Sequence, residues 1–294
     1  HLSTTAIGSS LYKIYTALGY NVVGINHLGD YGTQFGKMIV AYKLWGNAEK
    51  VKKDGVQELQ RLYVKFHQEE AERPELTDEA RKWFVKIEQG DKEASELFEM
   101  FKQITLADVK EIYERLNVKF DSWNGESFYN DKMREPLDML RGKGLIVESQ
   151  GAQIVDLKDY DMPPCLLVKA DGSSLYATRD IAAAIWRKKE YDFDKCLYVV
   201  AYQQNLHFKQ FFKVLELAGL SWAKDLVHVA YGMVSLEECA MSTRKGNVVL
   251  LRDVLNKAVE KSLETIVAKN PNLENREKVA EQVGVGAVLF SALE

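Results

Sequence analysis

The densest concentration of reactive side chains in the sequence is Met241-Ser242-Thr243-Arg244-Lys245-Gly246-Asn247. Two small hydroxyls, two fixed cations and a glycine within seven residues suit the gripping of phosphate. The cations supply point charge and a fork of donors, and Gly246 lets the backbone approach closely. The same residue types also populate ordinary exposed loops, so the stretch gains meaning only from its company. It lies between an apolar, strand-like run from Leu226 to Val234 and an amphipathic run that begins near Val254.

The elements that must position such a loop are legible in the rest of the chain. Ser3-Thr4-Thr5 precedes a helical pattern of Ile7, Leu11, Ile14, Tyr15 and Leu18, with Gly19 as its C-terminal cap. Asn21 to Asn26 reads as a short buried strand that ends in the polar group His27-Leu28-Gly29-Asp30-Tyr31-Gly32. Helix, strand and a loop bearing Gly and Asp make half of a doubly wound unit, with the loop where open parallel sheets place ligands. From Gln34 to about Leu116 the pattern is helical and charge-rich. Pro74 interrupts it, Thr77-Asp78-Glu79 restarts it as a cap, and a further helix follows Thr105. His67 reads as a solvated helix residue.

Beyond Asn117, residues 118–129 read as a strand and a polar loop. Leu145 to Val147 and Ile154 to Leu157 form a hairpin about Gly151. Leu166 to Lys169 and Tyr176 flank a second turn at Asp171-Gly172-Ser173-Ser174. Thr178-Arg179-Asp180 then opens a helix, so that Tyr176 on a strand end and Asp180 in the opening turn face one pocket. Cys196 to Ala201 and Val227 to Ala230 are buried strands, and the polar loop Tyr202 to Gln210 follows the first of them. Val254, Leu255, Ala258, Val259 and Leu263 form an amphipathic helix that Asn270-Pro271 ends.

A chain of 294 residues with 46% hydrophobic and 28% charged residues reads as soluble and globular, and no apolar run is long enough to span a membrane. A net charge of −4 argues against a protein coated in positive charge but leaves room for a local basic patch. Cys165, Cys196 and Cys239 show no paired spacing and read as reduced thiols, with neither a disulfide framework nor a metal site expected. The apolar end and the start at His1 suggest that the sequence is a piece of a longer chain.

Taken together, the motifs resemble a known family. His1-Leu2-Ser3-Thr4-Thr5-Ala6-Ile7-Gly8 resembles the second half of the HIGH signature of class I aminoacyl-tRNA synthetases, and Met241 to Gly246 resembles their KMSKS loop. Asn26 to Gly36, Gly125 to Tyr129, Leu175 to Asp180 and Leu206 to Gln210 are similar to the arginyl members, in the right order and across essentially the whole chain. The resemblance implies an α/β fold: a doubly wound parallel, Rossmann-like, HUP-type nucleotide-binding core. It would run as residues 1–36 and 118–250, around a helical insertion at 37–117 and before a helical stem at 251–294. It implies ATP-dependent activation of arginine and transfer to tRNA(Arg), with Mg²⁺ accompanying ATP, in a cytoplasmic and monomeric enzyme that lacks an editing domain.

The family also implies roles for individual residues. His1 would contact the ATP phosphates, aided by the positive end of its helix. Ser242, Thr243, Arg244 and Lys245 would clamp the pyrophosphate, and His207, Gly232, Met233 and Met241 would line the nucleotide. Asn26 would hold the amino acid's backbone end, with Asp30 beside it. Asp180 would pair with the guanidinium, Tyr176 would cover its face, and Gln204 would add a polar contact. Ala240 departs from the pattern, standing where the KMSKS signature has its first lysine; Lys245, or a lysine upstream of His1, would compensate. That departure keeps a non-catalytic paralogue in view as an alternative. Another class I synthetase is the second alternative, disfavoured by Tyr176 with Asp180 and by the absence of paired metal ligands.

Overall fold

Apolar residues at helical spacing build most of the regular structure. The computed structural model of the chain describes residues 2–170, 175–232 and 250–293. Six helices come first: α1 (Leu2–Ala17), α2 (Thr33–Trp45), α3 (Ala48–Asp54), α4 (Val56–Glu69), α5 (Glu75–Glu88) and α6 (Lys92–Arg115). A 3₁₀ turn at Glu126–Lys132 leads to α7 (Arg134–Gly142), β1 (Ile146–Ser149), β2 (Ala152–Val155) and β3 (Cys165–Val168). Then come α8 (Tyr176–Tyr191), β4 (Cys196–Ala201), α9 (Asn205–Leu217), β5 (Leu226–Tyr231), α10 (Leu251–Lys269) and α11 (Arg276–Ser291). The chain is thus α/β and rich in helix, with a parallel strand pair. It divides into two compact units, residues 1–25, 29–122 and 234–294 in one and residues 26–28 and 123–233 in the other.

In the first unit, α2, α4, α5 and α6 bury Ile39, Leu62, Phe66, Leu76 and Phe101 against one another. Helices α2 and α5 cross very closely at Gly36. A Cβ placed there would stand 1.9 Å from the Ala80 carbonyl oxygen, so only glycine fits without backbone movement. A smaller apolar cluster joins Leu116 and Val118 to Leu255 of α10 and Val285 of α11.

Several helical expectations change here. Helix α6 runs unbroken through Thr105, whose hydroxyl donates to the Phe101 carbonyl at 2.9 Å instead of capping a new helix. Helix α5 starts at Glu75 behind Pro74, and Thr77 spends its hydroxyl on Glu70 at 3.1 Å. His67, expected to be solvated, keeps only 9% of its side chain exposed and pairs with the same Glu70. The expected strand at Asn21–Asn26 reduces to a single parallel bridge between Ile25 and Ser122. Gly24 explains why. Its N–H donates to the Asp121 carboxylate at 2.7 Å, and its carbonyl accepts from the Asp121 and Ser122 N–H groups, so a loop satisfies it without a ladder.

Among its described residues the second unit holds two sheets. Strands β1, β2 and β3 form an antiparallel sheet in that order. The β1–β2 turn places Gln150 at φ 51° and Gly151 at φ 79°, the left-handed pair that a tight hairpin requires. Strands β4 and β5 are parallel neighbours, with Cys196 opposite Leu226 and Ala201 opposite Tyr231. Helices α8 and α9 share the core of this unit, burying Ile181, Ala184, Phe211, Val214 and Leu215 with Leu140 and Leu167. Cys165 lies in that core as a free thiol, and burial pushes its pKa up to about 12. Cys239 lies outside the described residues.

Two predictions follow from the first unit. Gly36→Ala should lose about 1–3 kcal/mol or more through overpacking, whereas Gly286→Ala, with open space at its Cβ in α11, should gain roughly 0.5–1 kcal/mol. Urea unfolding of the two variants checks the opposite signs. The second concerns Glu70. Burial raises its pKa, but hydrogen bonds from Lys37 and His67 outweigh that and leave it lowered. Its stabilising contribution is therefore complete above the unfolded value, about 4.3, and is lost as pH falls through the lower folded value. Glu70→Gln should cost about 1–3 kcal/mol at pH 7, and the gap from the parent should close below about pH 4.

Candidate active site

Helix α8 carries the acid that the sequence singles out. Leu175 is extended (φ −105°, ψ 173°), and its N–H donates to the Leu167 carbonyl of β3 at 3.0 Å. Thr178, 1% exposed, donates its hydroxyl to the same carbonyl at 2.7 Å. These two bonds fasten the first turn of α8 to β3. They also start the helix at Tyr176, so Tyr176 is not on a strand end as expected. Tyr176 and Asp180 instead stand at positions i and i+4 of one helix, one above the other on a single face. Tyr176 is 66% exposed.

Asp180 is three-quarters buried and held by histidines. Its Oδ2 lies 2.6 Å from Nε2 of His207 on α9, and its Oδ1 lies 3.9 Å from Nε2 of His27. The neighbouring cation does not neutralise it. Arg179 points elsewhere and is 4% exposed, with Nη1 3.2 Å from Glu126 and Nε donating to Asn130 at 3.3 Å. His27 in turn accepts at Nδ1 from Nη2 of Arg187, 3.1 Å away. The second unit thus assembles a chain of polar groups, His207–Asp180–His27–Arg187, along one stripe of α8.

The remaining expected residues divide. Gln204 ends the 3₁₀ turn that follows β4, and Gly232 follows β5, so both stand exposed at the carboxyl ends of neighbouring parallel strands. Such ends are where α/β sheets receive ligands. Asn26 belongs to the same unit and is half-buried. Asp30 belongs to the first unit, where it is 6% exposed and pairs with Lys102 of α6 at 2.9 Å. His1, Met233, Met241, Ser242, Thr243, Arg244 and Lys245 lie outside the described residues. Among the described residues no cluster of three or more His, Cys, Asp and Glu could hold a metal ion. His27 and Arg187 were given no role from sequence, although Arg187 stands seven positions after Asp180 and therefore on its face of α8.

Residues 1–294 match the family described as tRNA synthetases class I (R), catalytic domain. The chain belongs to this family. The arginine–tRNA ligase of Clostridioides difficile is 58% identical over 293 residues, covering 100% of this chain and 52% of that protein. The ligase of the same name from Alkaliphilus metalliredigens is 57% identical with the same coverage. The chain spans about half the length of these curated relatives. Among solved structures, Thermus thermophilus arginyl-tRNA synthetase superposes with a TM-score of 0.82 at 24% identity, over 99% of this chain and 55% of its own. The Plasmodium falciparum arginyl-tRNA synthetase gives 0.75 at 22% identity, over 98% and 48%. At those identities the match is one of fold. No described helix is long and apolar enough to cross a membrane.

The synthetase-family chain yields a prediction about how α8 is fastened. Thr178→Val removes a buried donor while Leu175 keeps the Leu167 carbonyl satisfied, so the cost should be about 1 kcal/mol. Thr178→Ser should restore most of it, and thermal unfolding of the pair reads the difference.

Proposed function

We propose that this chain carries the adenylation chemistry of an arginine–tRNA ligase. The observation that supports it best is Asp180, an acid held by His207 at 2.6 Å with no lysine or arginine paired to it among the described residues, and with an exposed tyrosine one helical turn away. A guanidinium is the natural partner for that pair. The carboxylate accepts its parallel N–H donors, and the phenol ring lies over its planar face.

The reaction on this reading is two displacements at a doubly wound, Rossmann-like core. The arginine carboxylate attacks the α-phosphate of MgATP, forming arginyl-adenylate and releasing pyrophosphate. A terminal ribose hydroxyl of tRNA(Arg) then attacks the adenylate carbonyl and releases AMP. Neither step needs a covalent enzyme intermediate, so the protein contributes positioning and stabilisation of developing charge. His1, Arg244 and Lys245, with Ser242 and Thr243, are the proposed phosphate contacts. Gly232, Met233 and Met241 are the proposed nucleotide contacts, with Gln204 and Asn26 completing the amino acid site. Mg²⁺ enters as part of the ATP substrate, and the cytoplasmic setting follows from the tRNA substrate.

His207 was expected at the nucleotide. Its bond to Asp180 ties it to the amino acid side as well, so one imidazole serves both substrates. Arginine-dependent ATP–pyrophosphate exchange in the full-length protein, with and without tRNA(Arg), tests the proposal. Exchange should require tRNA, and Asp180→Ala should reduce arginine-dependent exchange by on the order of 10²–10³-fold, the usual cost of stripping one partner from a desolvated charge pair. Folded protein that binds ATP but exchanges with no amino acid would overturn the reading in favour of a non-catalytic paralogue.

A further inference from the structure

Arg187 sits in the fourth turn of α8, 5% exposed, with the rings of Tyr129 and Tyr198 each centred 5.6 Å from its guanidinium carbon. A buried guanidinium stays charged, and leaving such a charge uncompensated is costly. Burial pushes both phenols above the ordinary tyrosine range, so neither is an anion at neutral pH. Among the described residues no carboxylate forms an ion pair with Arg187. It donates a hydrogen bond to His27 Nδ1 at 3.1 Å.

That bond has a definite polarity. A guanidinium has donors and no acceptor, so Nδ1 of His27 must be the bare nitrogen and Nε2 must carry the hydrogen. Nε2, which then carries the hydrogen, lies 3.9 Å from Asp180 Oδ1, a separation at which the two interact electrostatically and not by a hydrogen bond. The opposite tautomer would turn a lone pair on the carboxylate and an N–H on the guanidinium, which is unfavourable at both ends. Seven residues of helix separate Asp180 from Arg187, roughly 10 Å of rise, so the cation acts on the acid through the imidazole and not by direct pairing.

We propose that Arg187 is a specificity-determining positioning residue: it locks His27 in the Nε2–H tautomer, and His27 with His207 fixes the plane of the Asp180 carboxylate that receives the substrate guanidinium. The inference rests on the assignment of Asp180 to that guanidinium. The rings of Tyr129 and Tyr198 flank the Arg187 guanidinium.

Nitrogen-15 NMR of the histidine rings in the full-length protein, without substrate, reads the lock directly. His27 should show a single Nε2–H tautomer at pH 7. In Arg187→Met it should become a mixture of tautomers, and Arg187→Lys, which keeps a donor, should restore much of the original signal. In the exchange assay Arg187→Met should raise the KM for arginine about tenfold and leave the KM for ATP within about twofold, as expected for loss of one charge-assisted contact acting on one substrate. A hydrogen on Nδ1 of His27 in the unmutated protein overturns the lock without any variant, so a failure of Arg187→Met to fold does not protect the idea. An unchanged tautomer in Arg187→Met, or equal rises in both KM values, overturns the positioning role alone. Absence of arginine-dependent exchange in the unmutated protein, with the Nε2–H tautomer present, defeats the substrate assignment and the recognition role built on it.

Discussion

A partly buried carboxylate must be solvated by the protein without being neutralised by it, and the second unit is arranged around that constraint at Asp180. An arginine or lysine within hydrogen-bonding distance would occupy its oxygens, and a wholly apolar surrounding would leave them without donors. Imidazoles avoid both outcomes. His207 at 2.6 Å supplies a strong hydrogen bond, and His27 at 3.9 Å adds an oriented dipole. The adjacent Arg179 is withdrawn into a separate pair with Glu126. The result is an acid that a histidine holds in place and that no lysine or arginine pairs with among the described residues.

The surrounding elements follow from holding that acid still. Strand β3 offers one carbonyl, Leu167, to two donors at the start of α8, and this sets where the helix begins. The alanine run of α8, buried at Ala182, Ala183 and Ala184, lets the helix pack closely enough to bring its polar stripe against α9. His207 lies in the first turn of α9, which begins where the parallel β4 strand ends. Parallel pairing of β4 with β5 brings the exposed Gln204 and Gly232 to one edge. The polar residues of the site are therefore placed by apolar decisions made elsewhere in the unit.

The sequence could be read wherever a local pattern and its burial agreed. Cys196–Ala201 is a continuous apolar run and is a strand over those residues; the Gly151 hairpin carried its own turn chemistry. Reading failed where a distant group decided the outcome. Thr105 and Thr77 have the residue type of a cap, but a carbonyl four residues back and the Glu70 carboxylate claim their hydroxyls. Asn21 to Asn26 has strand composition, yet Asp121, nearly a hundred residues away, takes the Gly24 N–H. That Asp180 lies in the opening turns of a helix was legible from its motif, whereas the place of Tyr176 on the same helix was not. The His27–Arg187 bond was not, because it joins positions 160 residues apart and neither residue type alone announces a partner.

The motif running from Asn26 to Gly36 shows how far chemistry and packing are interleaved in this family chain. Its length suggests one ligand-binding loop. The structure assigns its members to different duties: His27 faces Asp180, Asp30 is buried against Lys102, and Gly36 admits the Ala80 carbonyl between two helices. The chain passes from one compact unit to the other between Leu28 and Gly29, so the two ends of the motif answer to different cores. A residue such as Gly36 is fixed by the crossing of α2 and α5, where the only freedom is the absence of a side chain. A residue such as His27 is fixed by hydrogen-bond polarity, where the position of a single proton matters. Both constraints admit almost no substitution, which is why a motif match alone cannot separate a residue that touches substrate from one that lets helices meet.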